Sequence, residues 1–196
     1  MNYLNWGLEV IDAEIAALQA IRNQLDVNFT NAVRAIKSCK GKVIITGIGK
    51  SGHIARKMAA TMASLGTPSF FLHSSEALHG DTGMIQSRDL VIAISNSGKT
   101  REVVETASKA RQIGTRVIAM TGQADSPLAQ QSDIVLDIHV SGEADHLNLA
   151  PTSSSTVTLA VGDALAVASS RAKSFTKENF AFIHAGGELG KRSSNK

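Results

Sequence analysis

With Cys39 as its only cysteine, this chain cannot form an intrachain disulfide, and no Cys or His motif surrounds that residue. It reads as a structural thiol in a reducing compartment. Aromatic residues are scarce, with six Phe, Trp6 and Tyr3 among 196 residues. The formal net charge is only +3, and part of it sits in the polar end at Lys191, Arg192 and Lys196. No basic stripe is interleaved with aromatics, which argues against nucleic acid and in favour of a small anionic ligand. The N-terminus lacks a basic segment followed by an apolar one, and no apolar run is long enough to span a bilayer. These absences predict a cytoplasmic protein with no membrane partner.

What is plentiful is Ala, Gly, Ile and Val, within 43% hydrophobic residues. That suits one α/β domain with a full-sized core. Leu4, Leu8, Ile11, Ile15, Leu18 and Leu25 recur at spacings of four and three, with Ile21 filling the one gap, which predicts a long amphipathic helix. A second helix over 28–38 carries Phe29, Val33 and Ile36 on one face. Residues 1–40 are therefore a helical extension to a domain over 41–190, and 191–196 is a polar tail. So regular an apolar seam predicts contact with a second copy through the first helix.

An apolar run over 90–94 stops abruptly at Ser95, Asn96, Ser97, Gly98, Lys99 and Thr100, and a helical pattern opens with Glu102, Val103, Val104 and Ala107. Strand, hydroxyl-rich turn and helix direct backbone N–H groups and hydroxyls at one spot, where the helix N-terminus adds partial positive charge. Ser95, Ser97 and Thr100 are the predicted phosphate donors, and Gly98 would let the backbone approach the anion. The plainer alternative is an ordinary helix N-cap. A second loop of the same build follows the run over 42–46: Gly47, Ile48, Gly49, Lys50, Ser51, Gly52, then a helix from about His53. Its G-x-G-x-x-G spacing suggests a dinucleotide, but the end of the next strand carries His73, Ser74 and Ser75 where an acidic residue should hold a ribose. A Walker A loop is excluded, since its first glycine would fall at Ile44.

Further strands over 69–72, 116–120 and 134–138, separated by helices or short turns, predict a five-stranded doubly wound parallel sheet flanked by helices. Ligands bind such sheets at the carboxyl ends of the strands, where both polar loops lie. A polar loop over 142–150 holds Glu143, Asp145 and His146, and Pro151, Thr152, Ser153 and Ser154 start a helix to about Ala172. That start is a third cluster of donors facing an anion. A short helix from Thr176 leads to His184 and a segment with three glycines.

Read together, GIGKSGHIARKMA, HGDTGM, SNSGKTRE, LAPTSS and HAGGELG resemble the sugar isomerase (SIS) domain family. More narrowly, they are similar to its D-arabinose 5-phosphate isomerases, over essentially the whole chain. The resemblance implies interconversion of D-ribulose 5-phosphate and D-arabinose 5-phosphate, a precursor of the lipopolysaccharide and capsule sugar Kdo, without a cofactor. Many members of the family continue into a pair of CBS domains; a chain ending at Lys196 is expected to lack regulation through them. A homo-oligomer is implied, expected to be a tetramer that meets through the N-terminal helix.

By the same resemblance, the proposed active-site residues fall on Lys50, Glu102, Glu143 and His184, and substrate contacts on Gly49, Ser51, His79, Ser95, Asn96, Ser97, Thr100, Thr152 and Ser153. Lys50 would stabilise an enediolate, either glutamate would move the proton, and His184 would open the sugar ring or shuttle protons. Each has a plainer alternative: Glu102 a first-turn carboxylate, Glu143 a solvated loop charge, Lys50 a phosphate ligand only, His184 a helix C-cap. No metal is required, and any ion at His79, near His53, His73 and Asp81, would be adventitious or inhibitory. The chain departs from the family pattern at Asp145 and His146, usually Cys-Pro, and at Ala185, usually Pro. A non-catalytic sugar-phosphate sensor could use the same loops, but it would need no carboxylate base.

Overall fold

The first two helices both lie against the long helix over 153–172. In the computed structural model, which describes residues 2–184, α1 spans Tyr3–Gln24 with Asn2 at its N-cap, and α2 spans Val27–Ser38, capped by Asp26. Only the end of the predicted seam meets the domain: Ile21 is buried and Leu18 packs against the core. Leu4, Leu8, Ile11 and Ile15 stay exposed, Leu4 at 73%.

Five strands follow: β1 (Val43–Gly47), β2 (Ser69–His73), β3 (Leu90–Ile94), β4 (Arg116–Thr121) and β5 (Ile134–Asp137). All pair in parallel in the order β2-β1-β3-β4-β5, with Val43 opposite Leu90 and Leu90 opposite Arg116. The predicted α/β architecture is the one observed, and the reversal of strand order falls between β1 and β3. Because side chains alternate across a strand, each apolar run feeds two cores. Val43, Ile45, Ile92, Ile94 and Ile118 face Ile36, Met58 and Leu165 on one side. Ile44, Val91, Ala93, Val117 and Ala119 face Ala77, Val103 and Ala107 on the other.

The connecting helices are α3 (Gly49–Ser64), α4 (Ser74–Leu78), α5 (Arg101–Ile113), α6 (Pro127–Gln130), α7 (Ser153–Ala172) and α8 (Lys177–Ile183). Gly114 ends α5 at φ +91°, the left-handed conformation that closes a helix without a Cβ clash. Helices α3 and α7 lie against each other closely enough that a Cβ on Gly162 would strike the Met58 side chain. Lys57 and Asp163 form an ion pair across the same contact. One boundary needs correction: α3 begins at Gly49, four residues before the expected start. Most of the apparent glycine loop is thus the first turn of a helix, with Gly49 at φ +56°. The glycine segment after His184 and the tail over 191–196 lie outside the described residues.

Candidate functional site

The β1 and β3 loops converge at the carboxyl edge of the sheet. Lys50 and Ser51, in the first turn of α3, line a narrow cleft with Asn96 from the β3 loop and Pro151, Ser154 and Ser155 from the start of α7. Three segments far apart in sequence therefore supply one cation, several hydroxyls and an amide. Ile54 and Thr158 also line it; neither carries a pattern that marks it in the sequence beforehand. Asn96 borders a second, wider cleft with Ser97, Lys99, Gly122, Gln123 and His139. There the His139 Nδ1 lies 3.3 Å from the Gly122 carbonyl, which it can only donate to, leaving Nε2 free of that contact.

The S-x-S-G-x-T loop is more self-contained than expected. The Ser95 hydroxyl is buried and lies 2.9 Å from the Thr100 hydroxyl. The Lys99 amide donates to the Ser97 hydroxyl at 3.2 Å. Gly98, at φ +62°, is required by the loop's own neighbours, since a Cβ there would strike the Ser126 side chain and approach the Thr121 hydroxyl. Asn96 and Ser97 remain exposed.

Glu143 is the main surprise. Its Oε2 accepts from the Thr152 amide at 2.8 Å, the Thr152 hydroxyl at 3.3 Å and the Ser154 amide at 3.1 Å, and its Oε1 accepts from the Ser154 hydroxyl. Partial burial alone would raise its pKa, but the donors of Ser154 and Thr152 outweigh it and hold the carboxyl below its ordinary value. The third donor cluster does face an anion, and the anion is this carboxylate at the N-terminus of α7. Thr152 is committed to it, and Ser153 is buried at 1% exposure, so neither lines the cleft. The loop that carries Glu143 is held by Asp145, which accepts from the Leu147, Leu149 and Ala150 amides, and by Asn148, whose Oδ1 takes the Glu143 amide at 2.6 Å. The departure at Asp145 and His146 thus has a structural use: Asp145 braces the loop.

Glu102 sits in the first turn of α5, partly exposed, and its carboxylate has no hydrogen-bond partner among the described residues. His184 ends α8, with its amide and its Nδ1 both on the Phe180 carbonyl, at 3.0 and 2.9 Å, and its ring stacked on Phe180 at 3.9 Å. It forms a helix C-cap and does not line the cleft. His79 is exposed at the end of α4, and the described residues contain no group of three or more His, Cys, Asp or Glu placed to hold a metal.

The SIS domain family matches residues 36–168, more than half of the chain. The chain belongs to the SIS domain family. This SIS domain is 47% identical over 192 residues to arabinose 5-phosphate isomerase KdsD of Pseudomonas aeruginosa, covering 98% of this chain and 59% of the relative. It is 49% identical over 186 residues to KdsD of Escherichia coli K12, covering 95% of this chain and 57% of that one. The chain therefore spans less than two thirds of the length of these curated relatives. The solved structure of Escherichia coli CFT073 c3406 in complex with arabinose 5-phosphate superposes with a TM-score of 0.90 at 44% identity, covering 93% of this chain and 97% of that one. No helix among the described residues is long and apolar enough to cross a membrane.

Proposed function

We propose that this SIS domain interconverts D-arabinose 5-phosphate and D-ribulose 5-phosphate through an enediol. The observation that carries the reading is the convergence of Lys50, Ser51 and Asn96 on one cleft at the strand-order reversal. The names of the KdsD relatives and the arabinose 5-phosphate bound to the E. coli protein support this choice of sugar. The product would feed synthesis of the Kdo of lipopolysaccharide or capsule, in the cytoplasm.

Isomerisation moves one carbon-bound proton and one hydroxyl proton. A base takes the proton from C2 of the open-chain aldose and negative charge spreads to the C1 oxygen; the C2 hydroxyl proton passes to that oxygen, and return of a proton to C1 leaves the ketose carbonyl at C2. Glu102 suits the base because its carboxylate is uncommitted, whereas four donors hold the carboxylate of Glu143 ionised and make it a weak acceptor of a proton. Glu143 acts by positioning: with Thr152 and Ser153 it sets the first turn of α7, and so the Ser154 wall of the cleft. Lys50 stabilises the enediolate oxygen. Gly49, Ser51, Ser95, Asn96, Ser97 and Thr100 hold the phosphate end, and His184, with Nδ1 donating to Phe180, offers Nε2 for ring opening. His79 remains a peripheral contact. The exposed Leu4, Leu8 and Ile11 support a homo-oligomer, a tetramer, joined through α1. Light scattering after chromatography tests this: Leu8→Lys with Ile11→Lys should lower the mass to a smaller assembly.

The deciding experiment is proton NMR in D₂O with chelator-treated protein and D-arabinose 5-phosphate. Conversion to ribulose 5-phosphate with deuterium at the exchanged carbon supports the enediol route. Binding without turnover would instead make the domain a sugar-phosphate sensor.

A further inference from the structure

A second concave site lies at the opposite, amino edge of the sheet. A cavity of about 190 Å³ is lined there by Ser38, Cys39, Lys40, Ser87, Arg88 and Arg116, with Asp89 in its floor. The cations come from three segments: Lys40 precedes β1, Arg88 precedes β3, and Arg116 opens β4. None has an ion-pair partner among the described residues. Among the described residues that line the cavity the one carboxylate, Asp89, is already engaged by backbone donors. Asp89 is buried, with Oδ1 accepting the Lys42 amide and Oδ2 the Gln86 amide, each at 2.8 Å.

These same bonds make the rim rigid. The Gly41 amide donates to the Arg88 carbonyl at 2.9 Å, and the Leu90 amide donates to the Lys42 carbonyl at 3.0 Å. A Cβ on Gly41 would collide with the Asp89 carboxylate, so the loop carrying Lys40 is seated directly on the turn carrying Arg88. The Arg88 Nε donates to Gln86 Oε1 at 3.0 Å, which holds the guanidinium while leaving its terminal nitrogens without a hydrogen-bond partner among the described residues. Register pairing of Leu90 with Arg116 places the third cation one strand away. The Ser87 hydroxyl has no hydrogen-bond partner among the described residues and can donate to an oxyanion. The Cys39 thiol is held at 3.6 Å from the Lys42 and Arg88 carbonyls, and burial raises its pKa, which keeps it protonated and inert.

We propose that this cavity binds a small multivalent oxyanion, a ligand with two or more phosphate or carboxylate groups, at a site separate from the isomerase cleft. Arg88, tethered through Nε to Gln86, loses little freedom when an anion arrives, Lys40 and Arg116 add charge from the neighbouring segments, and guanidinium groups favour phosphate geometry. Among the described residues no aromatic side chain lines the cavity, so recognition rests on the charged groups and not on stacking with a base. Such a site at the sheet edge remote from the chemistry is suited to an effector, not a substrate.

Inorganic pyrophosphate is the probe, titrated calorimetrically into the whole chain at low and at physiological salt. One site of measurable affinity that weakens with salt is expected. Arg88→Gln with Arg116→Gln should weaken it about tenfold, the effect of removing two charge-assisted contacts. Arg111→Gln, elsewhere on the surface, should leave it unchanged. The ligand-free melting temperature of each variant separates lost binding from lost folding. Saturation with D-arabinose 5-phosphate, or Lys50→Met, should not displace the pyrophosphate. Retained affinity in the double variant, or loss of binding in Lys50→Met alone, would overturn the proposal.

Discussion

Glu143 and Ser154 face each other across the start of α7: the carboxylate takes both the amide and the hydroxyl of the serine. A loop glutamate eleven positions upstream thereby serves as the cap of a twenty-residue helix. Thr158, one turn further on, carries the contact inward by donating to the Ser154 carbonyl at 2.7 Å.

Removing that cap should cost stability in a pH-dependent way. The pKa of Glu143 is lower folded than unfolded, so its contribution is present above the unfolded value of about 4.3 and is lost as pH falls through the folded value. Glu143→Ala should lower the melting temperature at pH 7 by the loss of about 1 kcal/mol, as for other N-caps. The gap from the parent should narrow below pH 4, and a gap that widens there would contradict the assignment.

Glu102 and Glu143 should separate in kinetics. Glu102→Gln should reduce kcat by roughly 10²–10⁴-fold, the range for loss of a general base, with a melting temperature close to that of the parent. Glu143→Gln keeps an acceptor for the Thr152 and Ser154 donors and should retain much more turnover. Steady-state assays on both variants decide it, and the reverse ranking would make Glu143 the base.

Gly98→Ala should destabilise the β3 loop by about 2–4 kcal/mol, from the left-handed backbone and the collision with Ser126. Adding Ser126→Gly relieves the collision but not the backbone strain. Urea titrations should therefore show the double variant losing less than the sum of the two single changes.

Asp89→Ala should cost about 3 kcal/mol, because the Lys42 and Gln86 amides lose a charged acceptor in a buried place. Asp89→Asn, which offers one oxygen instead of two, should cost less. The denaturation midpoints should fall in that order with the slope unchanged.

Much of this is visible in the residues themselves. Runs such as Val43–Gly47 and Leu90–Ile94 show a parallel sheet because continuous β-branched and apolar residues are needed only where both faces are covered. The start of α3 falls earlier than the sequence predicts because Gly49, Lys50 and Ser51 have the composition of a loop, and what makes them a helical turn is packing under the sheet edge, not propensity. The exposed apolar half of α1 reads as one seam with its buried end, since spacing shows a face but not what covers it.

By itself the sequence determined the order of strands and helices, the polar loops at the carboxyl edge and the candidate chemistry of Lys50, Glu102 and Glu143, because period, turn residues and charge are local properties. Only the tertiary structure decided which of those groups are still free. The donors of Thr152 and Ser154 and the carboxylate of Glu143 look like three separate offers to a ligand along the chain. Once the loop folds back on α7 they satisfy one another, since a carboxylate brought to a helix N-terminus will take the unpaired N–H groups it finds there.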